Sequence, residues 1–392
     1  MTFTKSVILS LVVVAGLQAH AASASATQIN TGSETGAYHA SFCPALAGQL
    51  KLARFDYRCV PSAGTRENMD RVASDQRQLG YGQLDVFALE SRKMKAEDAF
   101  TIVRQDDVRE CVFAVTRNKQ VANWGELSVN AATLRFILPP ATSGSAGTFQ
   151  FLRTIDADGL GRAVTVTHAA STEDAIRQAL SADDTASLFV EFPDPESKHF
   201  ELVHKLGGHL VPVIDRTILR QEIGGRKIYF PQDAEIESAG WVQSARRLVT
   251  ACTPLVVFTG KPDGVQDETA RKDHADLIRT VTAIKRDLLL PEESFLDRAL
   301  KRTKELSAVS TERALELTDQ ARAKAKPYTD KAMEKAKEIG DQAKQAAERA
   351  GEAAKPYMDK TKEAAQKAYD EAVRIGKDLI DKAKPESAPK RD

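Results

Sequence analysis

The sequence predicts an α/β fold of two lobes joined by hinge strands, followed by a long Ala/Lys/Glu-rich C-terminal α-helical extension. Three observations predict it. Between residues 27 and 290, short apolar runs of β type alternate with helical patterns, the signature of mostly parallel sheets covered by helices. Four strand-to-helix turns are built of Ser, Thr, Gly and Gln, three in the first half and one in the second. From Pro291 onward the composition shifts to Ala, Lys, Glu and Asp, and residues 321–384 contain no Phe, Trp or Cys.

The first strand is expected at 28–30. The turn 31–38 follows, and then an apolar helical pattern at Tyr38, Phe42, Leu46 and Leu50. Such a turn gathers hydroxyls and unpaired helix-start N–H groups at one point. Taken alone it reads as a capped helix start; joined by other turns it becomes one wall of a site. Residues 54–60 read as a strand, 61–65 as a turn and 66–76 as a helix. A strand at 78–82 leads to Gln83-Leu84-Asp85, which opens another helix. The apolar strand 111–116 leaves the first lobe. In the second lobe, strand 134–139 precedes a small-residue loop at 142–148 and a helix at 149–155. Strand 164–167 precedes helix 172–180, whose first turn carries Glu173 and Asp174 where the helix dipole favours acids. Strand 187–192 follows, the long strand 248–259 returns to the first lobe, and helix 269–290 closes the region. The expected partition places lobe 1 at about 27–113 and 253–290, and lobe 2 at about 117–248. In such sheets ligands bind beyond the carboxyl ends of the strands, so the turns should face one cleft.

Residues 1–26 read as a secretory signal. Lys5 precedes an apolar run at 7–17 that is too short to span a bilayer, and small-x-small sites occur at 19–21 and 24–26. The expected location is therefore periplasmic, soluble after cleavage. In an oxidising compartment the four cysteines are expected to pair. Cys43 on the first helix should meet Cys59 on the next strand, and Cys111 and Cys252 head two apolar strands, so the pairing expected is Cys43–Cys59 and Cys111–Cys252.

Several functions have no support. Lys plus Arg equals Asp plus Glu at 55 each, and without a basic stripe nucleic acid is not an expected partner. The cysteine spacings do not match a zinc site, and His199, His204 and His209 do not share a helix face. Ser145 is offset from a Gly-x-Ser-x-Gly elbow, and no Lys follows Gly147-Thr148 to complete a phosphate loop. Neither an enzyme nor a cofactor is expected. His168 ends a strand within reach of the cleft, and Trp124 and Trp241 read as packing.

Four segments resemble the periplasmic solute-binding proteins of the TAXI branch of TRAP transporters. Thr31-Gly32-Ser33…Gly36-Ala37-Tyr38 resembles that family's first turn. Ser62-Ala63-Gly64-Thr65…Glu67-Asn68 is similar to its second turn. Leu79-Gly80-Tyr81-Gly82-Gln83…Asp85 is similar to its Leu-Gly-Phe-x-Gln-x-Asp segment. Pro140-Ala141-Thr142-Ser143-Gly144-Ser145…Thr148 resembles its second-lobe loop. The resemblance covers about 27–290. It implies a type II periplasmic-binding fold that closes by a hinge over a small polar solute of the amino-acid or organic-acid class, with a membrane-embedded TRAP permease as partner. The residues it carries into the cleft are Ser33, Thr35, Gly36, Tyr38, Thr65, Gln83, Ser143, Ser145 and Thr148. Two acids depart from the pattern, Glu34 in the first turn and Glu191 at a strand end. If they point inward, a simple carboxylate is repelled and an amine-bearing solute is preferred.

The extension at 291–384 has no counterpart in that family and reads as an added stalk, with 385–392 disordered. Its apolar positions follow an 11-residue spacing, which favours a straight or slightly right-handed helix. Lys326-Pro327-Tyr328 recurs as Lys355-Pro356-Tyr357, and the two prolines are expected to kink or break the helix. A second reading makes this tail the working part: a structural protein of the cell envelope whose helix self-associates or docks onto an envelope partner.

Overall fold

The structure, a computed structural model, describes residues 26–238, 244–289, 304–305 and 307–382. Residues 1–25 of the expected signal segment, the start of the expected extension at 291–303, Trp241 and the final residues 385–392 lie outside these. The first half is built on three parallel strands. Strand β1 (Thr27–Asn30) leads through a π-turn at Tyr38–Phe42 into helix α1 (Cys43–Leu52). β2 (Tyr57–Val60), α2 (Thr65–Ser74), β3 (Leu79–Gln83) and α3 (Leu84–Lys93) follow. β1 pairs with β2 on one side and β3 on the other, Ile29 facing Cys59 and Leu79. The Cys43–Cys59 disulfide ties α1 to β2.

The next strand, β4 (Phe100–Thr116), is longer than its apolar segment suggests. Its first part carries a polar run at 104–107, with Arg104 paired to Asp106 at 2.7 Å. The second half contains α4 (Trp124–Val129), β5 (Arg135–Leu138), α5 (Gly144–Ile155), β6 (Thr165–His168), α6 (Thr172–Ala179), β7 (Thr185–Glu191), α7 (Lys198–Lys205), β8 (His209–Pro212) and the short α8 (Arg216–Leu219). A two-stranded hairpin, β9 (Glu222–Ile223) with β10 (Arg226–Lys227), precedes β11 (Phe230–Glu237). Then β12 (Arg246–Gly260) returns, and α9 (Glu268–Ala283) covers the first half.

The strand order is β2-β1-β3-β12-β4-β7-β5-β6, with β8 on β4 and β11 on β12. β12 is antiparallel to β3 and β4, Val256 facing Gly82 and Cys252 facing Cys111. Beyond Cys111, β4 pairs instead with β7 and β8. The two long strands therefore belong to both halves, which is the two-lobed α/β architecture with hinge strands. The Cys111–Cys252 disulfide joins them where one half passes into the other.

Packing explains why α3 and α5 come together across the halves. Leu84, Phe87 and Ala88 share one core with Phe136, Phe149, Phe151 and Leu152. A Cβ on Gly147 would stand 2.9 Å from both Val86 methyls, so glycine permits the close helix approach. Trp124 is fully buried in the same core. A second core under α1 joins Ile29, Phe42, Leu46 and Leu50 to Leu277 and Val281 of α9.

Three expectations are corrected here. Gly144–Thr148 is the first turn of α5 rather than a loop, because Ser143 caps the helix and its Oγ accepts from the Ala146 N–H at 3.2 Å. Helix α9 ends at Ala283, short of residue 290, and a single 3₁₀ turn follows at Arg286–Leu288. Within the extension, β13 (Lys304–Glu305) pairs with Gln232 and Asp233 of β11. Helix α10 (Ala308–Lys382) then runs through both prolines without interruption. Each proline removes one ladder hydrogen bond, and the surrounding Ala, Lys and Glu are strong helix formers. Arg216 of α8 holds the start of α10 through Glu312 and, at 3.0 Å, Asp319, while Leu315 and Thr318 are buried. Residues from Gln320 on form a separate unit, a helix whose described side chains are mostly exposed. Among the described residues no helix is long and apolar enough to cross a membrane.

Candidate functional site

The carboxyl ends of β1, β2 and β3 deliver their turns to one place, and the turn after β5 meets them from the other half. Asn68 fixes the arrangement from beneath: its Nδ2 donates to the Thr31 carbonyl at 2.6 Å and to the Tyr81 carbonyl at 2.7 Å. The Ser62 N–H donates to the Gly32 carbonyl at 2.9 Å, which ties the first turn to the second. Glu67 accepts from the Ala63 N–H at 2.6 Å and pairs with Arg71, and that backbone hydrogen bond holds its carboxyl below the usual range. Gly64 has φ +130°, and a Cβ there would also stand 3.1 Å from the Thr142 carbonyl oxygen. Only glycine suits that backbone, and it lets the turns of the two halves touch.

Between them lies a cavity of about 390 Å³. Seven of the residues expected in the cleft line it: Ser33, Gly36, Tyr38, Thr65, Gln83, Ser143 and Ser145. Ser145 accepts from the Val190 N–H at 3.0 Å, which joins α5 to β7. Three others lie elsewhere. Thr35 is exposed and does not line the cavity. Thr148 is fully buried and donates to Asp85 Oδ2 at 2.6 Å. Glu191 accepts from Ser197 Oγ at 2.9 Å and meets His199 Nδ1 at 2.6 Å, because β-strand alternation sends it away from Val190, which does line the cavity. Glu34 is exposed and does not line it either.

The acid that does line the cavity is Glu110, on hinge strand β4. Tyr38 O–H donates to its Oε2 at 2.6 Å, and Gln83 lines the cavity beside it. Burial pushes the Glu110 carboxyl up to about 7, against the lowering effect of the Tyr38 hydroxyl and the Gln83 amide, while the fields of Asp85 and Glu191 raise it. Burial and the Glu110 charge together raise the Tyr38 phenol well above its ordinary value. Gln83 is 4 % exposed, and its Oε1 has no hydrogen-bond partner. That oxygen lies over Gly144, where an added Cβ would be 1.9 Å away. Sequence reasoning missed Glu110 because it is the last polar position before the apolar run 111–116. Its only signal was that place beside Cys111.

Behind the cavity, Asp85 is fully buried and links the halves. Besides Thr148, Tyr229 O–H donates to Asp85 Oδ2 at 2.8 Å, and the Val86 N–H donates to Oδ1 at 2.8 Å. Burial raises this carboxyl, and the Thr148 and Tyr229 hydroxyls oppose the shift. A second cavity of about 450 Å³ adjoins the first and is lined by charged groups and His168. Several of its ionic groups have partners within the protein: Glu90 with Lys93 at 2.7 Å, Glu67 with Arg71, and the His168 ring with the Pro139 carbonyl. Among the described residues no group of three or more His, Cys, Asp or Glu side chains is placed to hold a metal ion.

No protein-family profile matches the sequence, and no curated protein matches it. Solved structures do show similarity. The periplasmic aliphatic sulphonate binding protein SsuA from Escherichia coli is 12% identical, with 76% of this chain and 93% of that one covered and a TM-score of 0.37. A TctC solute binding protein from Polaromonas is 13% identical, with 78% and 98% covered and a TM-score of 0.39. A possible phosphate binding protein from Planctomyces limnophilus is 11% identical, with 76% and 98% covered and a TM-score of 0.33. The fold assignment rests on the strand order and register of this chain.

Proposed function

We propose that the chain is an exported, periplasmic solute-binding protein that captures a small polar solute between its two halves. The observation that supports this most is the cavity itself, lined by hydroxyls and amides from turns of both halves. Small-solute sites have volumes of roughly 300–1,000 Å³ with a few well-placed polar groups, and this cavity falls within that range. Ser33, Thr65, Gln83, Ser143 and Ser145 supply hydrogen bonds, and Tyr38 closes one side. The hinge is the pair β4 and β12. Opening would separate α3 from α5 and break the Thr148 and Tyr229 hydrogen bonds to Asp85. Delivery to a TRAP-type permease follows from the resemblance of the four turns. Calorimetry of the full chain against amino acids and organic acids tests the site. Gln83→Ala and Ser145→Ala should each weaken binding about tenfold or more; unchanged affinity in both rejects the assignment.

A second reading gives the tail a role in envelope assembly. It is favoured by the docking of β13 on β11 and of Arg216 on Glu312 and Asp319, which fixes the start of α10 to the second half. Deleting residues 320–392 should then abolish partner capture and leave solute affinity intact; retention of every partner by the truncated chain removes this reading.

A further inference from the structure

We propose that the captured solute carries a protonated amine, and that this ammonium group sits between the Glu110 carboxylate and Gln83 Oε1. The inference rests on the solute-binding reading above and names the chemistry of that same cavity.

The charge inventory comes first. Among the residues that line the cavity, Glu110 is the one carboxylate, and none is Lys or Arg. The neighbouring cation on β4 is turned elsewhere: the Arg109 guanidinium stacks on Phe230, 3.8 Å from the ring centroid. A carboxylate solute would enter without a counter-charge and meet an acid. An ammonium group would meet its counter-ion in a partly dehydrated place, where such a pair is strongest.

The second observation is the unpartnered oxygen. Gln83 lines the cavity with Glu110, and its amide is close enough to lower the Glu110 carboxyl. Facing a carboxylate, its amide N–H₂ is the end that can donate. That fixes the amide orientation and leaves Oε1 as a buried acceptor without a donor. Buried acceptors of this kind are costly unless something supplies an N–H or O–H. An ammonium group has three donors, enough for Glu110 and Gln83 together. Tyr38 contributes by position: its hydroxyl is committed to Glu110 Oε2, which orients the carboxylate and leaves the rest of its acceptor capacity free. The raised Glu110 carboxyl agrees with a buried acid that has no protein cation beside it among the residues lining the cavity.

The remaining wall is neutral. Thr65, Ser143 and Ser145 offer hydroxyls at the starts of α2 and α5. That surface accepts a second polar group of either kind, so a zwitterionic amino acid and a diamine both satisfy the amine requirement.

The test uses the full chain and matched probes by calorimetry at pH 8. The amines are L-glutamate, L-aspartate, L-alanine and L-lysine; the amine-free counterparts are, in the same order, glutarate, succinate, propionate and hexanoate. The expected result is that at least one amine binds, that its amine-free counterpart is weaker by about 30-fold or more, and that Glu110→Gln lowers the amine affinity by a similar factor. The exposed Asp107→Asn on the same strand should change nothing. The amine-versus-counterpart comparison needs only the native chain, so it decides the matter even if Glu110→Gln folds poorly. If the amine-free acids bind as well as the amines, the amine inference is overturned and the solute-binding reading stands. If Glu110→Gln folds and keeps full amine affinity, the inference is likewise overturned. If no probe of either set binds, both fall for these solute classes.

Discussion

Asp85 offers the sharpest stability test, because its carboxylate joins α3 to α5 and to Tyr229 from a fully buried position. Asp85→Ala removes an acceptor that serves three buried donors: the Thr148 hydroxyl, the Tyr229 hydroxyl and the Val86 N–H. An unsatisfied buried group costs about 1–3 kcal/mol. Some relaxation will shelter one of the three, so the expected loss is about 3–5 kcal/mol, the range for removing one partner from a buried charged network. Asp85→Asn should behave differently. Its amide keeps one acceptor oxygen, the hydroxyls can rotate to accept from its nitrogen, and the desolvation that raises this carboxyl disappears. Its loss should be about 1 kcal/mol. Urea unfolding of the full chain with both disulfides intact measures the two midpoints. A loss below about 1 kcal/mol for Asp85→Ala, or equal losses for the two variants, would refute the reasoning.

Four further predictions concern the disulfides, Glu110 and Gly144. In the chain-entropy account, removing Cys111–Cys252 with its sequence separation of 141 should cost about 5 kcal/mol, and removing Cys43–Cys59 with its separation of 16 about 3 kcal/mol; paired Cys→Ala unfolding curves check the order. Glu110 is raised to about 7 from 4.5, so the folded state binds its proton more tightly than the unfolded state. Its contribution to stability is greatest below pH 4.5 and is lost as pH rises through 7. Thermal melts should show Glu110→Gln no more stable than the native chain at pH 4.5 and more stable at pH 8. Amine affinity should rise over the same interval as the carboxyl ionises; the groups facing it are Tyr38, Asp85 and Glu191, with His199 behind Glu191. Gly144→Ala should displace the flexible Gln83 amide and lower solute affinity tenfold or more, at little cost in unfolding midpoint.

Much of the fold was legible because burial leaves a pattern in the sequence. The runs that became β5 and β7 are apolar and short, Ser171 and Asp174 announce α6, and both disulfides follow from which elements must pack. What stayed hidden depended on side-chain direction. β4 begins at Phe100, but the polar run at 104–107 interrupts it and so hides the strand. β7 places Val190 and Glu191 on opposite faces, so an acid in an apolar strand pointed to His199 rather than to the cleft. In the first turns of α5, Ser145 reaches Val190 while Thr148 turns back to Asp85. The prolines misled for another reason: a rule that costs one turn its hydrogen bond does not outweigh the strong helix formers on both sides in α10.

The most direct test of the central claim is a crystal structure of the full chain grown with the amine that binds tightest in calorimetry. The account predicts that solute in the cavity between the halves, its nitrogen within about 3.2 Å of both a Glu110 oxygen and Gln83 Oε1. Density for the same solute at any other place, with the cavity occupied only by water, would contradict it.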